Sequence, residues 1–520
     1  MHFDLIIKGG TVIDGSGAPA YSSDLGISGG KIIAIENLDN ALAATTIDLA
    51  GDVICPGFID VHLHSEIALL YGAERDRYGA LLQGVTTHLT APDGFGWAPL
   101  PPDLAAKLWE STKFAYGHAD LLLNWPTAES YLSIFSGRLP ANIIPQVPHC
   151  AVRMAVMGWD ARPATSDELT RMKKLTREWL EAGAAALCLG LDYQPSAFAD
   201  TRELIELCKV AREYGAIYAA HIRYSHLGYA GAWRETMEIG RQADIPVHIS
   251  HAAITEETVP LLEEADSICD LTFESYLYPA GCTHLAMMLP IWAQAGGPQG
   301  ILTRIKDPIQ RQLMRDHLHT ELSLATKTGA RAVFVANKTG RYLGLSISEA
   351  AKAASLPIGD FAIQILEEEH PYALMVYHRA GNQDLHRDTE ARTIRHPRMM
   401  VASDGVYHGP LVHPRGFGCF ARILKQCAQQ CGFVSLEQAI RKMSGFPAER
   451  FGIKNRGLLR PGNAADIVIF NRDTVSDEAT WEDPRREPKG IGWVFVNGQI
   501  VVRRGLPTGI LPGQVLRAQF

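Results

Sequence analysis

The chain opens on short alternations of apolar and polar residues broken by glycine. Leu5–Lys8, Thr11–Ile13, Asp24–Ser28 and Lys31–Ile35 each read as a half-buried strand, and Gly9-Gly10, Asp14-Gly15-Ser16-Gly17 and Gly29-Gly30 supply the turns. The same texture returns near the other end. Asp466–Phe470, Trp493–Val496 and Ile500–Arg503 read as strands, with Asn497-Gly498 as a two-residue hairpin turn. Neither group has enough strands to close a core alone, so a small β-sandwich built jointly from residues 1–55 and 456–520 is expected.

Between these ends the pattern changes. Phe58–His64, Thr86–Leu89, Ala151–Met157, Ala186–Leu191, Ile217–His221, Val247–Ile249, Leu271–Tyr276 and Met399–Ala402 are short apolar runs that read as strands. Helical segments such as Ser166–Ala182, Thr201–Tyr214 and Arg234–Gln242 separate several of them. This alternation predicts an α/β fold, a (β/α)8 TIM-like barrel over residues 56–455. The interval from the seventh strand to the eighth is too long for one crossover. Ile309–Leu318 and Ile358–Glu369 read as extra helices there, so a helical insertion around residues 285–395 is expected as a lid or cap.

Composition narrows the class. The 520 residues include 57 acidic and 49 basic side chains, a formal net charge of −8, with 47% hydrophobic and 20% charged positions. Those proportions exclude a largely disordered chain. The negative balance gives no footprint for nucleic acid or an anionic membrane. No apolar run reaches the roughly 18 residues of a membrane span, and Met1-His2-Phe3-Asp4-Leu5 lacks the basic start of a secretory signal. The nine cysteines are odd in number and form no Cys-x-x-Cys pair, so a reducing, cytoplasmic setting is expected rather than a disulfide framework. Cys427 and Cys431, four apart, read as packing neighbours on one helix face.

Polar residues collect at the carboxyl ends of the central strands, where barrel enzymes carry their sites. The first strand ends in Asp60-Val61-His62-Leu63-His64. Positions i and i+2 share a strand face, so both imidazoles point one way, as half a zinc site would require. The fifth strand ends in His221-Ile222-Arg223, the sixth in Ser250-His251 and the eighth in Ser403-Asp404-Gly405. Four histidines and an aspartate at four strand ends are better explained as one site than as scattered core residues. His248 falls on the opposite strand face and is assigned to packing, with His88, His226, His284, His408 and His413 left as peripheral candidates.

These motifs resemble those of the amidohydrolase superfamily and, within it, the N-acyl-D-amino-acid deacylase (D-aminoacylase) family. The likeness runs over nearly the whole chain. It includes Asp4 to Gly15, Pro56-Gly57-Phe58-Ile59-Asp60-Val61-His62-Leu63-His64, Gly84-Val85-Thr86-Thr87 and Gly190-Leu191-Asp192-Tyr193-Gln194-Pro195. Further blocks are Tyr276-Leu277-Tyr278-Pro279-Ala280-Gly281, Leu289 to Gly297 with Asp307-Pro308, His413-Pro414-Arg415, Pro447 to Gly452 and Arg460 to Asp466. The resemblance implies a metal-dependent hydrolase of amide bonds other than peptide bonds. His62 and His64 would hold one metal position, and His221 and His251 the other. The family usually places a cysteine in an Asn-Cys-Gly-Phe pattern where this chain has Pro92-Asp93-Gly94-Phe95, so Asp93 would replace the thiolate. A carboxylate still ligates zinc, and as a harder ligand it raises tolerance of manganese or iron. One metal or two remain open, as do a monomer and a homo-oligomer.

The implied chemistry assigns further roles. A bound divalent metal lowers the pKa of water to about 7. Asp404 would take the proton and return it to the leaving nitrogen. Tyr278, or alternatively Tyr276, would donate to the developing oxyanion. Tyr193 and Arg223 are expected at the substrate pocket, and Arg415 is expected to pair with a substrate carboxylate. Family members often carry a lysine two residues past the last histidine ligand, near the substrate α-carboxylate. Here that position is Ala253. A substrate larger or less anionic than simple N-acetyl-D-amino acids is therefore expected. A cyclic amidase of the hydantoinase type would need a lysine at the fourth strand, and Leu187–Tyr193 has none. A non-catalytic binding protein would have no need of four histidines and Asp404.

Overall fold

The computed structural model describes residues 2–49, 51–117, 119, 121, 123–369, 373–429 and 432–520. The two chain ends build one sheet. Among the described residues it has nine strands, and Ile467–Phe470 lies antiparallel to Val53–Pro56, joining the late strands to the early ones. The two strands expected near the start are one, His2–Val12, with an irregularity between Ile7 and Gly10. Gly9 makes that bend: its φ is +69°, and a Cβ there would lie 2.9 Å from the Leu49 carbonyl oxygen. Asn497 and Gly498 both have positive φ, 51° and 77°, as a type I′ hairpin turn needs between Ile491–Val496 and Gln499–Arg503.

The central strands pair in parallel and in sequence order. Phe58–Asp60 pairs with Val85–Leu89, which pairs with Asn142–Ile144. Val147–Pro148, Ala186–Gly190, Ile217–His221, Val247–Ile249, Leu271–Ser275 and Met399–Val401 follow as neighbours. Gly405–Val406 then pairs in parallel with Leu63–His64. The third expected strand is a correction: residues 151–157 belong to the helix His149–Met157. A short apolar run cannot distinguish a buried helix from a buried strand by period alone. Here the run is rich in the helix formers Ala, Met and Arg, and Pro148 precedes it. The true third strand lies just upstream, in two pieces at Asn142–Ile144 and Val147–Pro148.

The insertion after the seventh strand is more than helical. It contains Gly297–Lys306, Pro308–Thr328, Ile347–Ala353 and Ile358–Glu369 as helices. It also carries a three-stranded antiparallel sheet of Ala280–His284, Leu374–His378 and Arg331–Ala336. Its buried residues, among them Met314, Leu318, Phe334 and Phe361, form an apolar cluster separate from the main core. The expected Cys427–Cys431 pairing involves a residue outside those described; Cys427 is a free thiol. Among the described residues no helix is long and apolar enough to cross a membrane.

Candidate metal centre and active site

Six side chains from five strand ends converge at the carboxyl edge of the central strands. His62 and His64 stand with ring centroids 5.6 Å apart, and His62 and His251 with centroids 5.5 Å apart. Asp93 lies between the two histidine pairs. Its Oδ1 is 3.5 Å from His62 Nε2 and 4.0 Å from His251 Nε2, and its Oδ2 is 3.6 Å from His64 Nε2. The ligand atoms fall into two groups, His62–His64–Asp93 and Asp93–His221–His251, each with its atoms within 4.8 Å of one another. Asp404 Oδ1 is 3.6 Å from His62 Nε2 and 3.5 Å from His64 Nε2.

The backbone at these positions is unusual. Asp93, His251 and Asp404 have φ of 54°, 40° and 47°, in the left-handed region that side-chain-bearing residues avoid. Such conformations cost about 1–3 kcal/mol each and persist where surrounding structure imposes them. Asp93 is held in a turn that runs over Cys188, where Gly94 passes so closely that a Cβ would lie 2.5 Å from the Cys188 carbonyl oxygen. Asp60 accepts from the His62 and Ser403 amides, tying the first strand to the last.

A surrounding layer of polar groups aims the imidazoles. Glu274, fully buried, accepts at 3.1 Å from His62 Nδ1 and at 2.8 Å from the His251 amide, and it also pairs with His248 Nε2. Tyr116 Oη is 3.2 Å from His64 Nδ1, and Asp192 Oδ2 is 3.0 Å from His221 Nε2. These contacts leave His62 Nε2, His64 Nε2 and His221 Nδ1 facing the centre, where His221 Nδ1 lies 2.9 Å from His251 Nε2. Glu274 and Asp192 escaped the sequence reading. The available signals were a glutamate inside the apolar run Leu271–Ser275 and the place of Asp192 in the Gly190–Pro195 block.

Burial and charge act against each other here. Burial alone would raise the pKa of Asp93, but His62, His221 and His64 bring it down to about 2. Burial would also disfavour charge on His62, yet Asp93 and Asp404 hold its pKa well above the usual imidazole value. His251 is lowered to about 4 by burial and by the neighbouring His221. For Asp404, burial is outweighed by Arg415 and His62, which keep the carboxyl far below the ordinary range. His62 Nε2 and Asp93 Oδ1 are buried without a hydrogen-bond partner among the described residues. Inward-facing imidazole nitrogens around a carboxylate, two of these atoms orphaned, are the nitrogen and oxygen donor set that zinc takes, so the residues fit a divalent metal.

The centre opens into a cavity of about 1010 Å³. Tyr193 and Tyr276 line it, as expected for pocket residues. Three other expectations are corrected. Tyr278 lines a different cavity and packs under the Arg422 guanidinium at 4.4 Å. Leu277 explains this: its φ of 55° breaks the extended run, so residues 276 and 278 no longer share a face. Arg223 is occupied by the Ala197 and Ala199 carbonyls and by Glu235, holding the loop after the fourth strand. Arg415 is fully buried, with Nη2 2.8 Å from Asp404 Oδ2 and its guanidinium 4.3 Å over the Tyr276 ring. Its fixed charge serves Asp404, not a ligand. The cavity's cation is instead Arg379, an exposed residue with no side-chain hydrogen bond or ion pair among the described residues. Nothing in the sequence marked it, because it lies in the insertion.

A model of the amidohydrolase family matches residues 45–266 and 346–502, leaving out the first part of the insertion. A D-aminoacylase of Alcaligenes xylosoxydans xylosoxydans is 34% identical over 530 aligned positions, covering 99% of this chain and 97% of the relative. A D-aminoacylase solved for the functional role of its binuclear metal centre, with one-metal activation and second-metal attenuation, superposes with a TM-score of 0.82. It is 31% identical, covering 99% of this chain and 100% of that one. The N-acyl-D-glutamate deacylase of Bordetella bronchiseptica, solved with zinc and a phosphonate mimic of the tetrahedral intermediate, gives 0.81 at 29% identity, with each chain covered in full.

Proposed function

This chain belongs to the amidohydrolase family, and from that premise we propose that it hydrolyses the amide of an N-acyl-D-amino acid, with a metal held by His62, His64, Asp93, His221 and His251. The carrying observation is the pair of three-residue groups that share Asp93, with Asp404 beside both histidines of the first. A divalent cation bound there supplies Lewis acidity, polarising the amide carbonyl and acidifying water.

The remaining work falls to the chain's own groups. Asp404, kept ionised by Arg415, accepts a proton at Oδ1 and returns it to the departing nitrogen. Tyr276 lines the cavity and takes the oxyanion-donor role that Tyr278 cannot reach. Arg379 offers its guanidinium fork to the substrate carboxylate. It stands near Tyr229, whose hydroxyl donates to the carbonyl of Ala253 at 3.4 Å. The cation missing at Ala253 is thus supplied from the insertion, so the less anionic substrate expected from Ala253 gives way, in this reading, to one with a single carboxylate.

The same reading covers architecture. The run of parallel pairings from Phe58–Asp60 to Met399–Val401, with Gly405–Val406 returning to Leu63–His64, supports a (β/α)8 barrel over residues 56–455. The sheet shared by residues 1–55 and 456–520 supports a separate β-domain, read as a sandwich. The test of function is metal content and turnover of N-acetyl-D-amino acids in Asp93→Ala and Asp93→Cys. Loss of metal in the first and retention in the second are expected. Undiminished metal binding by Asp93→Ala would leave Asp93 as a turn residue only.

A further inference from the structure

The cavity is far larger than an N-acetyl amino acid. Its volume of about 1010 Å³ stands at the upper end of sites that take drug-sized ligands. Its length can be measured along one strand. Leu374 and Arg379 both line it, at opposite ends of Leu374–His378 and its continuation, where the Arg379 amide donates to the Pro279 carbonyl. Five extended residues span roughly 16 Å. An N-acetyl amino acid is about two residues long, roughly 7 Å. Beyond an anchored carboxylate and acetyl group, space for a further six to eight carbons remains, by the same order-of-magnitude reckoning.

The walls of that space are mainly apolar, with His317 and Glu321 among the exceptions. The insertion supplies Met287, Met288, Leu289, Pro290, Ile291 and Leu374. Charge is distributed unevenly. Among the described lining residues Arg379 is the sole arginine or lysine, whereas Glu257 and Glu321 add carboxylates apart from the metal centre. Glu257 lies near Tyr229, as does Arg379, and Glu321 lies near Tyr377 at the insertion wall. One carboxylate finds a cation; a second one would meet like charge.

We propose that the preferred substrates carry a medium-length fatty acyl group of roughly eight carbons on the amide nitrogen, the acyl chain lying along the insertion wall. The inference rests on the amidase reading and names its substrate class. Dicarboxylic substrates such as N-acyl-D-glutamate are turned away by Glu257 and Glu321.

The test compares kcat/KM of the metal-loaded, full-length protein on N-acetyl-D-alanine, N-octanoyl-D-alanine, N-acetyl-D-phenylalanine and N-acetyl-D-glutamate. Each methylene moved out of water raises affinity roughly fourfold at best, so N-octanoyl-D-alanine should exceed N-acetyl-D-alanine by at least about tenfold, mainly through KM. N-acetyl-D-glutamate should be the poorest of the four. Met287→Trp should cut the octanoyl-to-acetyl ratio by about tenfold or more as the wall fills. Equal rates on the two acyl lengths would overturn the proposal. So would an equal gain for N-acetyl-D-phenylalanine, which would assign the wall to the amino-acid side chain. If none of the four is hydrolysed, the amidase reading itself fails. Calorimetric binding of octanohydroxamate against acetohydroxamate to the metal-loaded protein then judges the apolar wall alone: tighter octanohydroxamate supports it, equal affinity removes it.

Discussion

Two buried clusters in this molecule each set histidine against carboxylate and behave as opposites. One is the strand-end cluster of His62, His64, His221 and His251 with Asp93 and Asp404. The other lies behind the loop after the fourth strand, where His149, Glu203 and Arg153 are almost wholly buried together. In the second cluster the imidazole and the carboxylate satisfy each other, and Arg153 Nε alone among its polar side-chain atoms is buried without a partner. His149 Nδ1 is 2.8 Å from Ser196 Oγ and its Nε2 3.1 Å from Glu203 Oε1, while Arg153 pairs with Glu203 Oε2 and donates at 2.7 Å to the Arg162 carbonyl. In the first cluster the ligand atoms converge on one another in two groups of three, and His62 Nε2 and Asp93 Oδ1 have no hydrogen-bond partner among the described residues. Composition does not separate a site from a clamp. The separating observation is whether the polar atoms pair off with each other or converge from several strands on one shared point.

Each expectation that follows would break or sharpen that contrast. Chelation should abolish amide hydrolysis, and added zinc should restore it, while the melting behaviour of the His149 region stays the same. Activity in protein shown metal-free by elemental analysis would end the distinction. Next, Asp404→Asn should lower kcat by roughly 10²–10⁴ with metal still bound, because the amide cannot carry the proton. A near-parental kcat would return Asp404 to a structural role.

Glu203→Gln should do the reverse. Breaking a buried, hydrogen-bonded ion pair costs about 3–5 kcal/mol of stability, with activity per folded molecule little changed. Its signature is also in pH. Burial alone would raise the Glu203 pKa, but His149 and Arg153 hold it below its ordinary value of 4.5. A carboxylate lowered in the folded state stabilises fully above its unfolded pKa and loses that contribution as pH falls through the folded one. Acid unfolding of Glu203→Gln should therefore lack this part of the acid limb, and an unaltered acid midpoint would show the cluster to be inert. The smallest effect is expected from Glu274→Gln, which should weaken metal affinity about 10–100-fold by loosening His62 and His251. Competition titration with a chelator reads it directly.

Much of this was legible in the chain itself. The four histidines, Asp93 and Asp404 were visible because strand ends can be read from short apolar runs and turn residues. The structure brings all six together. What the sequence hid depended on backbone torsions and on distant packing. Tyr278 and Tyr276 look equivalent by spacing, and one left-handed residue, Leu277, sends them into different cavities. Arg223 and Arg415 look like ligand-binding cations, and both are consumed by the protein, through carbonyls in one case and Asp404 in the other. Arg379 carries no motif and matters because an inserted segment delivers it to the cavity. Ala151–Met157 was misread as a strand because seven mostly apolar residues show no period that separates a helix from a fully buried strand.

The sheet shared by the two chain ends has a consequence in time. Val53–Pro56 pairs on one side with the first strand, but its other side takes Ile467–Phe470. During synthesis, at roughly 5–20 residues per second, about 400 further positions must be added before that partner exists, a wait on the order of 20–80 s. Through that interval the Val-Ile-Cys-Pro edge stands open to any other unpaired strand nearby. The ribosome thus sets a period of vulnerability that the finished enzyme does not reveal, and expression yield should follow growth temperature and chaperone supply more closely than it follows the stability of the folded protein.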